Sequence, residues 1–441
     1  MKTNKILILC FICFSILTTS CDKYFENANT NPNSPNVVPV SVLLPTTQLA
    51  LSYVYWGDGS RFLGLFSQQV TGVSRQFVAY NNYTIVGNSV DNMWISLIYP
   101  KVLTNLKELR AIADPATEFT YVGIADAVEA YTLLFTTDCF GDIPYSEALQ
   151  GLDVPQPKFD TQEAIFASIN DLLASARTEF AKGVSSKKPG ADDLIYGGDV
   201  AKWSGFVNAL QARVNLRLAK RTGNYQSVLT ALAAGGIAAG NDARLPYGAG
   251  STANGPWYQY NEQRNDIAIG IRYKEILTSL NDPRDATYGA PLNTDHPILT
   301  GDFALPFLTY TEQTFIEAEA KFRTNDVSGA YDAYLEGIQL SFADAKITDA
   351  ALYDAYIAQP AVANGSANLT LDMIMTQKYI AMFLDPEAFA DWRRTNIPAL
   401  TPNSGTQVPR RLPYPESEVL YNNNCPSPAD VNIYDPVWWD N

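Results

Sequence analysis

Two stretches of the chain concentrate flat aromatic rings beside amide and guanidinium groups: "SRQFVAYNNYTIVG" (74–87) and "NGPWYQYNEQRND" (254–266). A sugar presents an apolar C–H face edged by hydroxyls, so a ring can pack on the face while amide donors and acceptors take the rim. That chemistry nominates Trp257, Tyr258, Tyr260 and Tyr80 as stacking surfaces, with Tyr83, Asn82, Asn261 and Arg264 as polar partners. The same kit serves a peptide, and rings of this kind also cap helical cores. Residue types alone leave these readings open.

Covalent chemistry is poorly supplied. The single histidine, His296, stands before Pro297 and reads as a solvated loop residue; a Ser-His-Asp or Cys-His arrangement would have to use it, and a zinc site would lack a second imidazole. No H-E-x-x-H, G-x-S-x-G, phosphate-loop or EF-hand spacing occurs. Glycosidic hydrolysis needs only two acids at a suitable separation, and among 46 acidic residues some pair meets that by chance. Glu317 and Glu319, two apart on a predicted helix, point to different faces and read as surface or packing residues. The acidic loop "SLNDPRDATYG" (279–289) reads as a turn, with a structural calcium ion as the alternative. The expectation is a binding protein without catalytic residues, metal or cofactor; a secreted glycoside hydrolase is the rival enzyme.

At the N-terminus, Lys2 and Lys5 precede the apolar segment Ile6–Leu17 and then small polar residues up to Cys21. The segment is shorter than the about 20 residues needed to cross a bilayer, and it has the layout of a signal peptide, 1–20. "LTTSC" (17–21) is similar to the lipobox of bacterial lipoproteins, which makes Cys21 the lipidated first residue of the mature chain. One acyl chain such as palmitate holds only marginally; several hold firmly. Residues 21–39, rich in Asn and Pro and poor in apolar side chains, read as a flexible tether. Beyond the leader, Cys139 and Cys425 remain besides Cys21, and an oxidising compartment leaves their pairing open. The formal charge of −15 disfavours nucleic acid and anionic lipid as partners.

The rings must be held by helices. Apolar residues recur at three and four over Tyr121–Phe135, Trp203–Leu218, Val327–Phe342 and Leu371–Phe383. Stretches 209–235 and 315–340 each read helix, polar turn, helix, and resemble tetratricopeptide units; 121–151 resembles a third with a longer turn. Their spacing far exceeds the about 34-residue tandem period. Long insertions rich in Gly, Pro, Asn and aromatics separate them, at 75–92, 184–200, 240–265 and 281–308, and loops of that length are functional or disordered. Trp94 falls on a helical stripe with Ile98 and Leu106 and reads as core. The fold class is all-α, tetratricopeptide-like pairs interrupted by long loop insertions, and length alone would suggest two or three domains.

The ordered segments "FGDIPYSEAL" (140–149), "TEQTFIEAEAKF" (311–322), "QKYIAMFLDPEAFADWRRTNIP" (377–398) and "RRLPYPESEVLYN" (410–422), together with the lipobox and "NTNPNSP", resemble the SusD/RagB family of Bacteroidetes outer-membrane lipoproteins, in particular its second SusD-like subgroup. The resemblance runs over nearly the whole chain. It implies a single α-helical domain over 40–441, built on tetratricopeptide-like pairs with ligand-binding loops on one side, in a cell-surface lipoprotein that captures oligosaccharides, or peptides, and passes them to a TonB-dependent, SusC-like transporter in the outer membrane. It locates no ligand site, because the motifs look like scaffold: Asp391-Trp392-Arg393-Arg394 closes a helix with cations at its C-terminal end, where positive charge is favoured, and Tyr414-Pro415 leads into another helix.

Overall fold

The computed structural model describes residues 38–441. The leader, Cys21 and nearly all of the tether therefore lie outside the described residues. Val40–Asn441 cluster as one compact unit, and none of the described helices is long and apolar enough to cross a membrane.

Helical hairpins form the frame. Helix Phe119–Phe140 packs along Gln162–Ala181, Val200–Thr222 along Gln226–Ala233, and Tyr310–Arg323 along Val327–Asp344. The apolar stripes are what they bury: Ile124, Val128, Tyr131, Phe206, Leu210, Phe315, Tyr334 and Ile338 are all core. Starts are set by side-chain caps, with Thr161, Asp199, Thr309 and Asp326 accepting from backbone N–H groups of the first turn. Close approach requires small residues at the crossings. A Cβ on Gly337 would lie 2.9 Å from the Phe315 ring, and one on Gly123 would lie 2.6 Å from Phe180. The units 209–235 and 315–340 are as predicted. The unit at 121–151 differs: its second helix begins only at Gln162, because "FGDIPYSEAL" leaves the helix at Gly141, bridges Ile143 to Asp160 and then turns over 146–149.

The insertions are largely built rather than loose. Among the described residues are four short strands, β1 (Val70–Gly72), β2 (Ala243–Leu245), β3 (Ile267–Ile269) and β4 (Leu305–Leu308). They pair antiparallel as β1–β3 and β2–β4, with Val70 opposite Ile269 and Gly72 opposite Ile267. Helix Arg75–Asn81 follows β1, and helix Pro256–Gln263 precedes β3. The sheet therefore draws the two aromatic stretches into one neighbourhood.

The core holds a buried ionic network. Arg394 grips both oxygens of Glu319 and reaches Asp391 at 2.9 Å, Lys378 meets Asp391 at 2.7 Å, and Arg217 joins Asp138 at 3.1 Å and also Glu387. Arg213 meets Glu312 at 2.8 Å. Burial alone would raise the Asp391 carboxyl, yet Lys378, Arg394 and Arg217 hold it well below the usual range. Arg393 and Arg394 are thus buried members of the core, more than dipole-satisfying cations at a helix end. Arg393 donates to the carbonyls of Asp138 (2.7 Å) and Arg410 (2.9 Å).

One other expectation changes, and one open question is answered. His296 is buried, not solvated: its Nδ1 accepts from the N–H groups of Ile298 (3.3 Å) and Leu299 (3.2 Å), and its ring stacks on Phe383. Cys139 and Cys425 are both free. Trp94 is core as expected, its indole N–H donating to Glu418 at 3.0 Å.

Candidate functional site

Helix Pro256–Gln263 starts with proline at its first position, where no N–H is needed. Its 3.6-residue period decides which of the nominated side chains face outward. Trp257 and Asn261, four apart, share the inner side; Tyr258 stands apart from them. Trp257 is 1% exposed, and its indole N–H donates to the Ser60 hydroxyl at 3.0 Å. That hydroxyl in turn donates to the Leu384 carbonyl at 2.5 Å. Trp257 is therefore a core anchor whose faces are already covered. Asn261 is likewise buried.

Tyr83 also turns inward. The chain leaves helix Arg75–Asn81 through a left-handed Tyr83 (φ 63°), which aims the ring at Phe66 and leaves the residue 5% exposed. Its hydroxyl accepts the Asn403 backbone N–H at 3.0 Å. Of the nominated set, Tyr80, Tyr258 and Tyr260 are half-buried, and Asn82 and Arg264 are exposed.

The structure brings the two stretches together through their rings. Phe77 lies 5.4 Å from Tyr80 and 5.7 Å from Tyr260 between ring centres, and Tyr80 also meets Phe62 at 5.5 Å, all edge to face. Around this cluster stand polar groups absent from the nominated set. The Arg61 guanidinium sits 4.7 Å above the Tyr260 ring and is held by Asp58 at 2.7 Å. Arg75 donates to Asp266 at 3.1 Å, and Gln259 donates to the Tyr53 hydroxyl at 3.1 Å. Burial and the Asp266 carboxylate raise the Tyr260 hydroxyl, so it stays protonated.

Arg61 and Asp58 come from a π-helical turn, Val54–Gly59, continued by helix Ser60–Phe66. Gly57 breaks the helical dihedrals there (φ −87°, ψ −106°), and such turns recur at functional sites. A signal for them is present in "SYVYWGDGSRF" (52–62), which interleaves aromatics, glycines and charge as the two nominated stretches do.

This face can stack and hydrogen-bond a ligand. The nearest concentration of perturbed acids lies inside. Burial, with the Glu312 charge adding to it, pushes the Asp385 carboxyl up, and it accepts from the Tyr55 hydroxyl at 2.6 Å. Asp385 borders a cavity of about 60 Å³ with Trp56, Arg244 and Asp344. Ligand pockets run to about 300–1,000 Å³, so no sugar ring fits there. In the 279–289 turn, Asp282 is taken by Arg284 (2.6 Å) and the Tyr356 hydroxyl (2.8 Å), and Asp285 by Lys274 (2.6 Å). Among the described residues no three His, Cys, Asp or Glu side chains gather as a metal site.

Comparison with known proteins adds the family. A SusD-like family model described as "Starch-binding associating with outer membrane" matches residues 32–304 and 293–415. Among solved structures, a SusD/RagB family protein from Bacteroides thetaiotaomicron superposes with a TM-score of 0.73 at 22% identity, over 91% of this chain and 99% of its own. A Bacteroidetes SusD-like protein gives 0.75 at 22% identity, over 91% of this chain and 100% of its own. A chitin-binding protein gives 0.73 at 22% identity, over 91% and 99%. No curated protein matches the chain. At these identities the superpositions establish the all-helical fold.

Proposed function

The chain belongs to the SusD-like family of binding proteins associated with the outer membrane, and from that premise we propose that it is a cell-surface lipoprotein that binds oligosaccharide nutrients and delivers them to a TonB-dependent transporter. The observation that carries the reading is the single aromatic face assembled from stretches some 180 residues apart in sequence, in which Phe77 joins the half-buried rings of Tyr80 and Tyr260, with Asn82 and Arg264 exposed in the same two stretches. Rings stack on the ligand and polar groups fix its orientation. Each stacked ring contributes about 0.5–1.5 kcal/mol beyond burial, so two or three give modest affinity. Modest affinity suits a protein that must release its cargo.

The mature chain starts at Cys21 in this reading, with lipid on that cysteine, residues 21–39 as the tether and 40–441 as the binding domain. It carries out no catalysis and needs no cofactor. Similarity in fold to a chitin-binding protein favours glycans over peptides as cargo. The test is affinity purification from solubilised outer membranes, coupled to a screen of glycans and peptides against the purified protein. Co-purification of a TonB-dependent transporter with glycan binding is the expected result. Absence of a transporter, peptide binding alone, or release of reducing ends from a bound glycan overturns it.

A further inference from the structure

Two guanidinium groups converge on one buried carboxylate at the rim of the aromatic face. Arg75, from the stretch after β1, places Nη1 at 3.1 and 3.3 Å from the two oxygens of Asp266. Arg264, from the end of helix Pro256–Gln263, brings its Nη1 to 3.7 Å from the same carboxylate. Asp266 is 1% exposed at its side chain, whereas Arg75 is 57% and Arg264 44% exposed. The negative charge is therefore sunk beneath the surface and the two positive charges stand above it. Asp266 is shared, so the three groups together carry a net positive charge, in a chain whose formal charge is −15. Glu262, exposed on the same helix, is the one other acid in the two stretches.

The backbone is strained to make this arrangement. Arg75 adopts a left-handed conformation (φ 49°) at the first position of its helix, which is costly for a non-glycine residue and persists where surroundings impose it. Most guanidinium N–H groups of Arg75, and all of those of Arg264, make no hydrogen bond to the described residues. Planar forks with open donors match a carboxylate bidentately.

Resting on the oligosaccharide reading above, we propose that Arg75 and Arg264 form a carboxylate-recognising subsite, and that the cargo is an acidic, uronate-bearing oligosaccharide. Its sugar faces lie on the cluster of Tyr80 and Tyr260 joined by Phe77, while a uronate carboxylate bridges the two arginines. Asp266 holds both cations in place without meeting the ligand.

Calorimetric titration of the detergent-solubilised full-length protein tests this. The probes are oligogalacturonate, oligoalginate and glucuronate-containing oligosaccharides, each with its methyl ester, alongside neutral chito- and malto-oligosaccharides. At least one acid form is expected to bind tenfold or more tighter than its ester, with a preference that shrinks as salt rises from 50 to 500 mM. Arg264→Gln should remove most of the preference, bringing acid and ester affinities to within about twofold of each other; it keeps the Arg75–Asp266 pair, so folding is preserved. Arg75→Gln should do the same, checked by an unaltered circular dichroism spectrum. Equal binding of acid and ester, or binding of neutral glycans only, overturns the carboxylate subsite and leaves glycan capture standing. Failure of every glycan, acidic or neutral, overturns both.

Discussion

Arg394 and Glu319 form a two-pronged ion pair in the core, the guanidinium Nη2 lying 2.5 Å from Oε2. The two residues come from different signature segments, "DWRRTNIP" (391–398) and "FIEAEAKF" (315–322). Both are at most 1% exposed at their side chains. Sequence segments that identify the family are, in space, two halves of one buried contact. Desolvating such a pair costs several kcal/mol per ion before Coulomb attraction offsets it. Its presence specifies how helix Glu387–Thr395 seats on the Tyr310–Arg323 hairpin.

Removing one partner should therefore be severe. Glu319→Ala leaves Arg394 with Asp391 alone, in a site that Lys378 already shares. The expected loss is about 3–5 kcal/mol, a large part of the roughly 5–15 kcal/mol by which domains are stable. Glu317, two residues away, pairs with Lys321 at 2.6 Å on a half-exposed face. Glu317→Ala should cost less than about 1 kcal/mol. Urea denaturation followed by circular dichroism compares the two, and similar midpoints would refute the buried network as a structural device.

What was legible follows from the period of the residues concerned. The stripes through Tyr121–Phe135 and Val327–Phe342 are helical in the sequence because burial repeats every 3.6 residues, and the hairpins at 209–235 and 315–340 follow from that. The helical starting point of the Tyr121 unit was legible and its partner helix was not, since twenty-one residues of turns and irregular chain separate Phe140 from Gln162. The β1–β3 pairing is three residues long on each side and leaves no periodic trace, yet it brings the two aromatic stretches together. Local patterning nominates Trp257 and Tyr258 equally. Only the packing of their helix on Ser60 and its neighbours separates a core ring from a surface one. His296, Arg393 and Arg394 show the same limit, because their burial is set by partners far along the chain.

Trp257 and Tyr258 should consequently part ways on mutation. Trp257→Ala empties a fully enclosed volume and frees the Ser60 hydroxyl, costing about 3–5 kcal/mol of stability. Tyr258→Ala and Tyr80→Ala remove half-exposed rings. Neither should shift the melting temperature by more than a few degrees, and each should weaken glycan binding by about 0.5–1.5 kcal/mol, or roughly two- to tenfold. Thermal melts and titration calorimetry on the same preparations check this. Unchanged affinity in the Tyr80→Ala, Tyr258→Ala double variant would remove the aromatic face from consideration.

His296 should make stability depend on pH in a defined window. Burial lowers its pKa to about 4, whereas an unfolded histidine titrates near 6.5. Above about pH 7 both states are neutral at this residue, and it contributes no slope. As pH falls below about 6.5 the unfolded chain takes a proton that the folded chain refuses, so stability is lost progressively until about pH 4, by up to about 3 kcal/mol. His296→Asn keeps an acceptor for the Ile298 and Leu299 N–H groups and cannot titrate. Its stability relative to the native chain should therefore rise between pH 6.5 and 4 and stay constant above 7, as read from denaturation midpoints. Because the chain holds one histidine, a single imidazole C2–H resonance reports the titration directly by NMR. A midpoint near 6.5 in the folded protein would show that the ring is hydrated and would abolish the predicted difference.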